Sequence, residues 1–208
     1  MKKSKRSKKS NTWKIKQHRD PFVKKSKILG YRSRASFKLI ELNEKFKFLK
    51  TNTNLLDLGS YPGGWAQVAS KIVTDGKILS IDTKNMTPIK NVNFYKSDIF
   101  EKNTKTKIID FFNGKLEVII SDMAADTTGN KSLDSIRTNQ LCLESLYLSA
   151  KALVANGVFV SKVFMGEDFD EIKKLAKTLF KEVRFFKPLS SRNESKETYI
   201  HCKILKTL

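Results

Sequence analysis

The chain has 208 residues, 39% of them hydrophobic, which is enough for one well-buried core and too few for two full domains. Lys and Arg number 41 against 21 Asp and Glu, and the resulting net charge of +20 is far beyond what solubility requires, so a polyanionic partner is the first expectation. Nucleic acid fits better than a membrane, because no run approaches the roughly 20 apolar residues of a spanning helix and the basic segments lack a Trp/Leu face.

The excess charge sits at the amino end: residues 1–50 hold 18 Lys/Arg and 3 Asp/Glu. The opening MKKSKRSKKS is followed by NTWKIKQHRD, which has no apolar stretch of the kind a signal peptide needs, so a cytoplasmic protein that keeps this end is expected. Residues 1–27 alternate Lys with Ser, Asn and Gln and carry little apolar surface; they read as a flexible, basic, RNA-binding tail ahead of a folded domain over 28–208. From Ser33 the run RASFKLIELNEKF places Phe37, Ile40, Leu42 and Phe46 at near-helical spacing and predicts an amphipathic helix.

Past Asn52, apolar β-rich runs at 54–59, 77–83, 92–99, 116–124 and 157–165 alternate with helical stretches at 64–74, 101–113, 132–155 and 167–181. That alternation predicts an α/β fold, a parallel sheet with helices on both faces. Runs 183–189 and 198–205 have no helix between them and should pair antiparallel at an edge of the sheet. Cys142 and Cys202, with His18 and His201, form no metal-ligand spacing, so reduced thiols and no structural metal are expected.

The sharpest local signal is Leu55-Leu56-Asp57-Leu58-Gly59-Ser60-Tyr61-Pro62-Gly63-Gly64-Trp65, where the first predicted strand ends. A glycine-rich turn at a strand's carboxyl end lets the main chain approach a ligand closely, and in an open α/β sheet this is where nucleotides bind. Tyr61 occupies the middle glycine's place of a dinucleotide fingerprint, and no Gly-Lys-Ser/Thr follows, so NAD and ATP lose ground. Asp82 lies 23 residues past Gly59, the spacing at which an acid can take both ribose hydroxyls of an adenosine group. Asp98 and Asp122 stand at the ends of the third and fourth predicted strands. A carboxylate-rich rim repels phosphates and suits a cation, and S-adenosylmethionine, with a sulfonium and an ammonium and no phosphate, meets that condition.

Asp20-Pro21-Phe22-Val23-Lys24-Lys25, Gly30 to Leu39, the glycine turn, Ser121-Asp122-Met123-Ala124, Lys162-Val163-Phe164 and Glu197-Thr198-Tyr199-Ile200 stand in an order that resembles the FtsJ-like RNA ribose 2′-O-methyltransferases. The resemblance spans roughly residues 20–205 and is nearest to the bacterial enzymes that modify uridine in large-subunit (23S) ribosomal RNA. It implies a Rossmann-like S-adenosylmethionine-dependent methyltransferase fold with a mostly parallel seven-stranded sheet. It also implies a large ribosomal subunit or its RNA as substrate, and a monomer. The family's Lys-Asp-Lys-Glu tetrad falls on Lys38, Asp122, Lys162 and Glu197. Cofactor contacts fall on Gly63, Trp65, Asp82, Asp98 and Asp122; Asp57, Gly59, Pro62 and Gly64 complete the turn argued above. Two departures stand out: Gly-Ser-Tyr-Pro where small alanines are usual, and Ala125-Asp126 where Pro-Asn is frequent.

Methyl transfer to a hydroxyl needs an aligned oxygen and a group to accept its proton. Lys162 is the expected proton acceptor, provided that burial or a neighbouring cation such as Lys38 lowers its pKa from about 10.4. Asp122 is read as bridging cofactor and lysine, and Lys38 and Glu197 as orienting the ribose. Lys24, Lys25, Arg32 and Arg34, closest in sequence to Lys38, are the candidate RNA contacts, with Trp13 and Phe22 as possible stacking platforms. The competing readings are the same chemistry on tRNA or an mRNA cap, a non-catalytic ribosome-assembly factor, and a nicotinamide-dependent oxidoreductase.

Overall fold

The computed structural model describes residues 19–166 and 168–206. Two helices, α1 (Pro21–Ile28) and α2 (Ala35–Phe46), precede β1 (Leu55–Leu58), α3 (Gly64–Ile72), β2 (Ile78–Asp82), β3 (Asn93–Lys96), α4 (Lys102–Phe112) and β4 (Leu116–Ser121). They are followed by α5 (Lys131–Ala152), β5 (Leu153–Phe164), α6 (Phe169–Leu179), β6 (Phe180–Phe186) and β7 (Glu197–Leu205). The seven strands form one sheet in the order β3-β2-β1-β4-β5-β7-β6, parallel from β3 to β5, with β7 antiparallel to both β5 and β6. The antiparallel edge expected from residues 183–205 is therefore present.

Alternation along the strands divides the core in two. Leu56 and Leu58 of β1, Leu79 and Ile81 of β2, and Ile119 of β4 pack with α4, α5 and α6 residues such as Ile108, Leu146 and Ile172. Leu55, Ile78, Val118 and Ile120 face the other way, onto Leu39 and Leu42 of α2 and Trp65 and Val68 of α3. A strand whose successive side chains point to opposite faces must be apolar throughout when both faces are covered, which is why β1, β2 and β4 read as nearly continuous hydrophobic runs. The edge strand β3, covered less, is mostly exposed.

Three boundaries differ from the sequence reading. Residues 20–27, expected within the flexible tail, are folded. Asp20 caps α1 by accepting the amide of Phe22 (3.0 Å), Pro21 occupies the first turn, and Arg34 forms an ion pair with Asp20. The rest of the predicted tail, including Trp13 and His18, lies outside the described residues, apart from Arg19. The helix expected to reach 155 ends at Ala152, because Leu153 pairs with Leu116 and the β4–β5 register then shifts before Val118 meets Val158. The third strand stops at Lys96, leaving Asp98 in the loop beyond it.

Among the described residues, no helix is long and apolar enough to cross a membrane, and no cluster of three or more His, Cys, Asp and Glu is arranged as a metal site. Cys142 and Cys202 are free and buried, and burial pushes the Cys142 thiol up to about 12.

Candidate active site

Strand order reverses between β1 and β4, so the crevice outside their carboxyl ends is the switch point of the sheet. A cavity of about 330 Å³ lies there, lined by Gly59 and Tyr61 from the glycine turn, Asp82 at the end of β2 and Lys84 beyond it, Asp98 and Phe100 after β3, and Asp122, Met123 and Asp126 after β4. Gly59 has φ +74°, and a Cβ on it would lie 2.5 Å from Met123 Cγ and 2.9 Å from Met123 Cα. Only glycine lets the turn pass this close to the segment carrying Asp122. The Asp82 carboxylate accepts the amides of Tyr61 (Oδ2, 2.9 Å) and Lys84 (Oδ1, 2.8 Å). A carboxylate has about four acceptor sites, so two remain for a ligand's hydroxyls. Asp98 Oδ1 holds the amide of Phe100 at 3.0 Å.

The other residues expected at the cofactor turn lie differently. Asp57 is fully buried in β1 on the face shared with Leu55, bonded by the Ser80 hydroxyl at 3.3 Å, and does not line the crevice. Pro62, Gly63, Gly64 and Trp65 are not among the lining residues either. Trp65 is buried, and its indole Nε1 donates to the Ala35 carbonyl at 2.8 Å, pinning α3 to the start of α2. Gly64 has the Ser33 and Ser36 hydroxyls against the position a Cβ would take, at 2.2 and 3.0 Å, so its smallness serves the same helix contact.

The four tetrad residues converge. Register alone places Lys162 of β5 opposite Tyr199 of β7, and Glu197 two residues further along the same face. Asp122 follows β4 directly, and Lys38 reaches in from α2. Lys162 Nζ lies 2.7 Å from Asp122 Oδ1 and donates to the Asp122 carbonyl at 2.8 Å. Lys38 Nζ grips both oxygens of Glu197 at 2.7 and 2.8 Å and lies 3.9 Å from Asp122 Oδ1. Tyr199 Oη donates to Asp122 Oδ1 at 2.5 Å, and Ser191 Oγ to Glu197 Oε1 at 2.8 Å. All the side-chain donors on Asp122 converge on Oδ1, while the same residue lines the crevice.

These contacts reverse the expected shift of Lys162. Burial alone lowers its pKa, but Asp122 and Glu197 outweigh that effect and hold it above the usual lysine value. Lys38, expected to act as the lowering cation, places its ammonium on Glu197. Burial likewise pushes Asp122 up, but Lys162 and Lys38 more than compensate, so its carboxyl stays below the ordinary value and ionised. Lys162 in the free site is therefore an ammonium.

A second opening, about 290 Å³ and lined by Arg34, Lys38, Arg192, Glu194, Ser195 and Glu197, reaches the tetrad from another side. Of the expected RNA contacts, Lys24 and Lys25 are exposed on α1. Arg34 has one end of its guanidinium on Asp20 and the other on the Ser190 carbonyl. Arg32 donates to the carbonyls of Pro62 (3.3 Å), Thr87 (2.7 Å) and Pro88 (2.8 Å). Phe22 packs on Phe37, with ring centroids 5.5 Å apart, and beneath Arg34, a domain-edge contact.

A family model described as FtsJ-like methyltransferase matches residues 31–205. The chain belongs to the FtsJ-like methyltransferases. Ribosomal RNA large subunit methyltransferase E of Pelagibacter ubique is 47% identical over 197 residues, covering 95% of this chain and 97% of its own. The protein of the same name from Rickettsia akari is 44% identical over 202 residues, with 94% and 89% covered. Among solved structures, a Plasmodium falciparum protein described as a ribosomal RNA methyltransferase matches with a TM-score of 0.75 at 34% identity, covering 84% of this chain and 98% of its own. This FtsJ-like chain is a methyltransferase with the family's Rossmann-like fold, and the methyl donor is its cofactor.

Sequence reasoning missed Tyr199, Ser191, Arg192 and Glu41. Tyr199 was within reach, since it stands two residues past Glu197 in a predicted strand and so on the same face. Glu41 accepts the amides of Leu189 (2.5 Å) and Ser190 (3.0 Å), anchoring the loop that leads to Glu197. Nothing in the sequence spacing announces a pairing 148 residues apart.

Proposed function

We propose that this FtsJ-like methyltransferase transfers the methyl group of S-adenosylmethionine to a uridine ribose 2′-hydroxyl in large-subunit ribosomal RNA. The observation that carries the reading is the position of the tetrad between two openings: Asp122 lines the carboxylate-rich crevice, and Lys38 and Glu197 line the groove flanked by Arg34 and Arg192. The first opening is rich in carboxylates and suits a cation, the second carries three cations beside two carboxylates, and Lys162, which lines neither, lies 2.7 Å from Asp122 of the one and 3.8 Å from Glu197 of the other. The ribosomal RNA substrate is the one named for the relatives that this chain resembles over nearly its whole length.

The donor set fits S-adenosylmethionine. Asp82, with its two remaining acceptor sites, would hold ribose hydroxyls, Asp98 the adenine side, and Asp122 and Asp126 the cationic end. When bound, this cofactor supplies an electrophilic methyl group on a cationic sulfur.

The chain's own residues supply position and proton handling. Asp122 Oδ1, held by Lys162 and Tyr199, fixes the lysine directly behind a residue that lines the crevice. Glu197, held by Lys38 and Ser191, stands 3.8 Å from Lys162 Nζ and orients the incoming hydroxyl. Lys162 accepts the hydroxyl proton from its neutral fraction, which is small in the free site because its pKa is raised. Lys24 and Lys25, with the basic residues that precede α1, track phosphates without reading sequence.

Methyl transfer measured in parallel on assembled large subunits, naked ribosomal RNA and tRNA tests the substrate. Activity on the large subunit or its RNA is expected, and activity confined to tRNA would overturn the proposal.

A further inference from the structure

We propose that Arg32 is a positioning residue of the methyl-donor crevice and not an RNA contact. The proposal rests on reading that crevice as the donor site.

Arg32 precedes α2, among basic residues that would ordinarily be assigned to phosphate binding. Its guanidinium instead spans two separate segments. Nη1 donates to Pro62 O of the glycine turn (3.3 Å) and to Thr87 O (2.7 Å), and Nη2 donates to Pro88 O (2.8 Å). The same two segments are joined on the crevice side by Asp82, whose carboxylate accepts the amides of Tyr61 and Lys84. Tyr61 adjoins Pro62, and Lys84 leads to Thr87, so Asp82 and Arg32 form two staples across one lip, one acidic and facing the ligand, the other basic and behind it.

Other contacts fix the arginine for this task. Its own amide donates to Gln67 Oε1 at 3.0 Å, and Gln67 Nε2 donates to Gly30 O at 2.8 Å, so α3 grips the chain on both sides of Tyr31. Gly63 makes room for the head group: a Cβ there would lie 2.8 Å from Arg32 Nη1 and 3.0 Å from both Ile89 Cδ1 and Met86 Sδ. The second glycine of the turn is thus explained by the arginine behind it as well as by its φ of +108°. A planar fork with donors in two directions can bridge carbonyls on two segments, which a lysine ammonium does with less geometric control. Without Arg32, the lip would keep the Gly59 and Ser60 amides on the Ile81 carbonyl (2.9 and 3.2 Å) and the Asp82 carboxylate, but the Pro62 end of the turn would lose its tie to Thr87 and Pro88.

The test uses the full chain and its Arg32→Ala and Arg32→Lys variants. Calorimetric titration with S-adenosylhomocysteine reads donor-site affinity, steady-state kinetics separate the two KM values, and binding of a large-subunit RNA fragment is measured at several salt concentrations. For Arg32→Ala, donor-site affinity should fall about tenfold, the donor KM should rise in step, and kcat at saturating donor should be largely kept. RNA affinity and its salt slope should be unchanged, with Arg32→Lys recovering part of the donor affinity. A fall in RNA affinity with the salt slope reduced by about 1 and donor affinity intact would make Arg32 a phosphate contact and overturn the proposal. So would a lower kcat with both KM values unchanged, the mark of a smaller folded fraction. Failure of the unsubstituted chain to bind S-adenosylhomocysteine would remove the donor-site reading itself, and this inference with it.

Discussion

Asp57 gives the most quantitative prediction. It is fully buried in β1; its Oδ2 takes the Ser80 hydroxyl at 3.3 Å, and its Oδ1 has no hydrogen-bond partner among the described residues. Burial pushes its pKa from 3.8 up to about 7; the Ser80 bond opposes this, while Asp122 and Asp82 add to it. Between these two values the folded chain keeps a proton that the unfolded chain has released, so the contribution of Asp57 to stability is fully present below pH 4 and is lost as pH rises through 7. At 1.36 kcal/mol per pH unit the whole window is worth about 4 kcal/mol. Asp57→Asn keeps the size and the acceptor for Ser80 but cannot ionise. Urea unfolding of both chains at pH 5 and pH 8 should show the variant gaining on the parent by about 3 kcal/mol between the two. All other titrating groups are shared, so they largely cancel. A gap that stays constant to within about 0.5 kcal/mol would refute a buried, proton-holding Asp57.

Three further outcomes follow from the same geometry. Gly59→Ala combines a φ of +74° with a Cβ 2.9 Å from Met123 backbone, and should cost about 3 kcal/mol in urea unfolding; a loss under about 1 kcal/mol would mean the turn and the Met123 segment are free to separate. Glu41→Ala removes the acceptor for the Leu189 and Ser190 amides and should cost about 1–2 kcal/mol, with Glu41→Gln milder; equal melts for all three chains would show the loop to be anchored elsewhere. Because Asp122 and Glu197 outweigh burial and raise Lys162, kcat/KM should climb tenfold per pH unit from 7 to 9 without a plateau, and an inflection near 7 would assign the proton to another group.

Much of the scaffold was legible because its physics is local and periodic. Apolar runs separated by helical stretches announced the parallel sheet, and the helix-free 183–205 region announced its antiparallel edge. Lys162 stood out as a cation inside an apolar strand, and Asp82, Asp98 and Asp122 as acids at the ends of predicted strands, all three of which line the crevice. Helix α1 was missed although Asp20-Pro21 is a cap followed by a first-turn proline; the lysine-rich composition of the segment outweighed that signal. The partners of Arg32 and Arg34 were not legible. The Arg32 guanidinium ends wholly, and that of Arg34 at one end, on main-chain carbonyls up to 156 residues away, and a carbonyl leaves no mark in a sequence. The direction of the Lys162 shift depended on distances of 2.7 and 3.8 Å to two carboxylates, against burial acting the other way. Residue types alone do not rank those effects.

The most direct test is to map ribose methylation across ribosomal RNA after incubating large subunits with S-adenosylmethionine and either the parent chain or Lys162→Ala. A 2′-O-methyl group is expected on a large-subunit uridine with the parent and none with the variant, while the variant still binds S-adenosylhomocysteine. A methyl group on a base, or undiminished ribose methylation by the variant, would contradict that expectation.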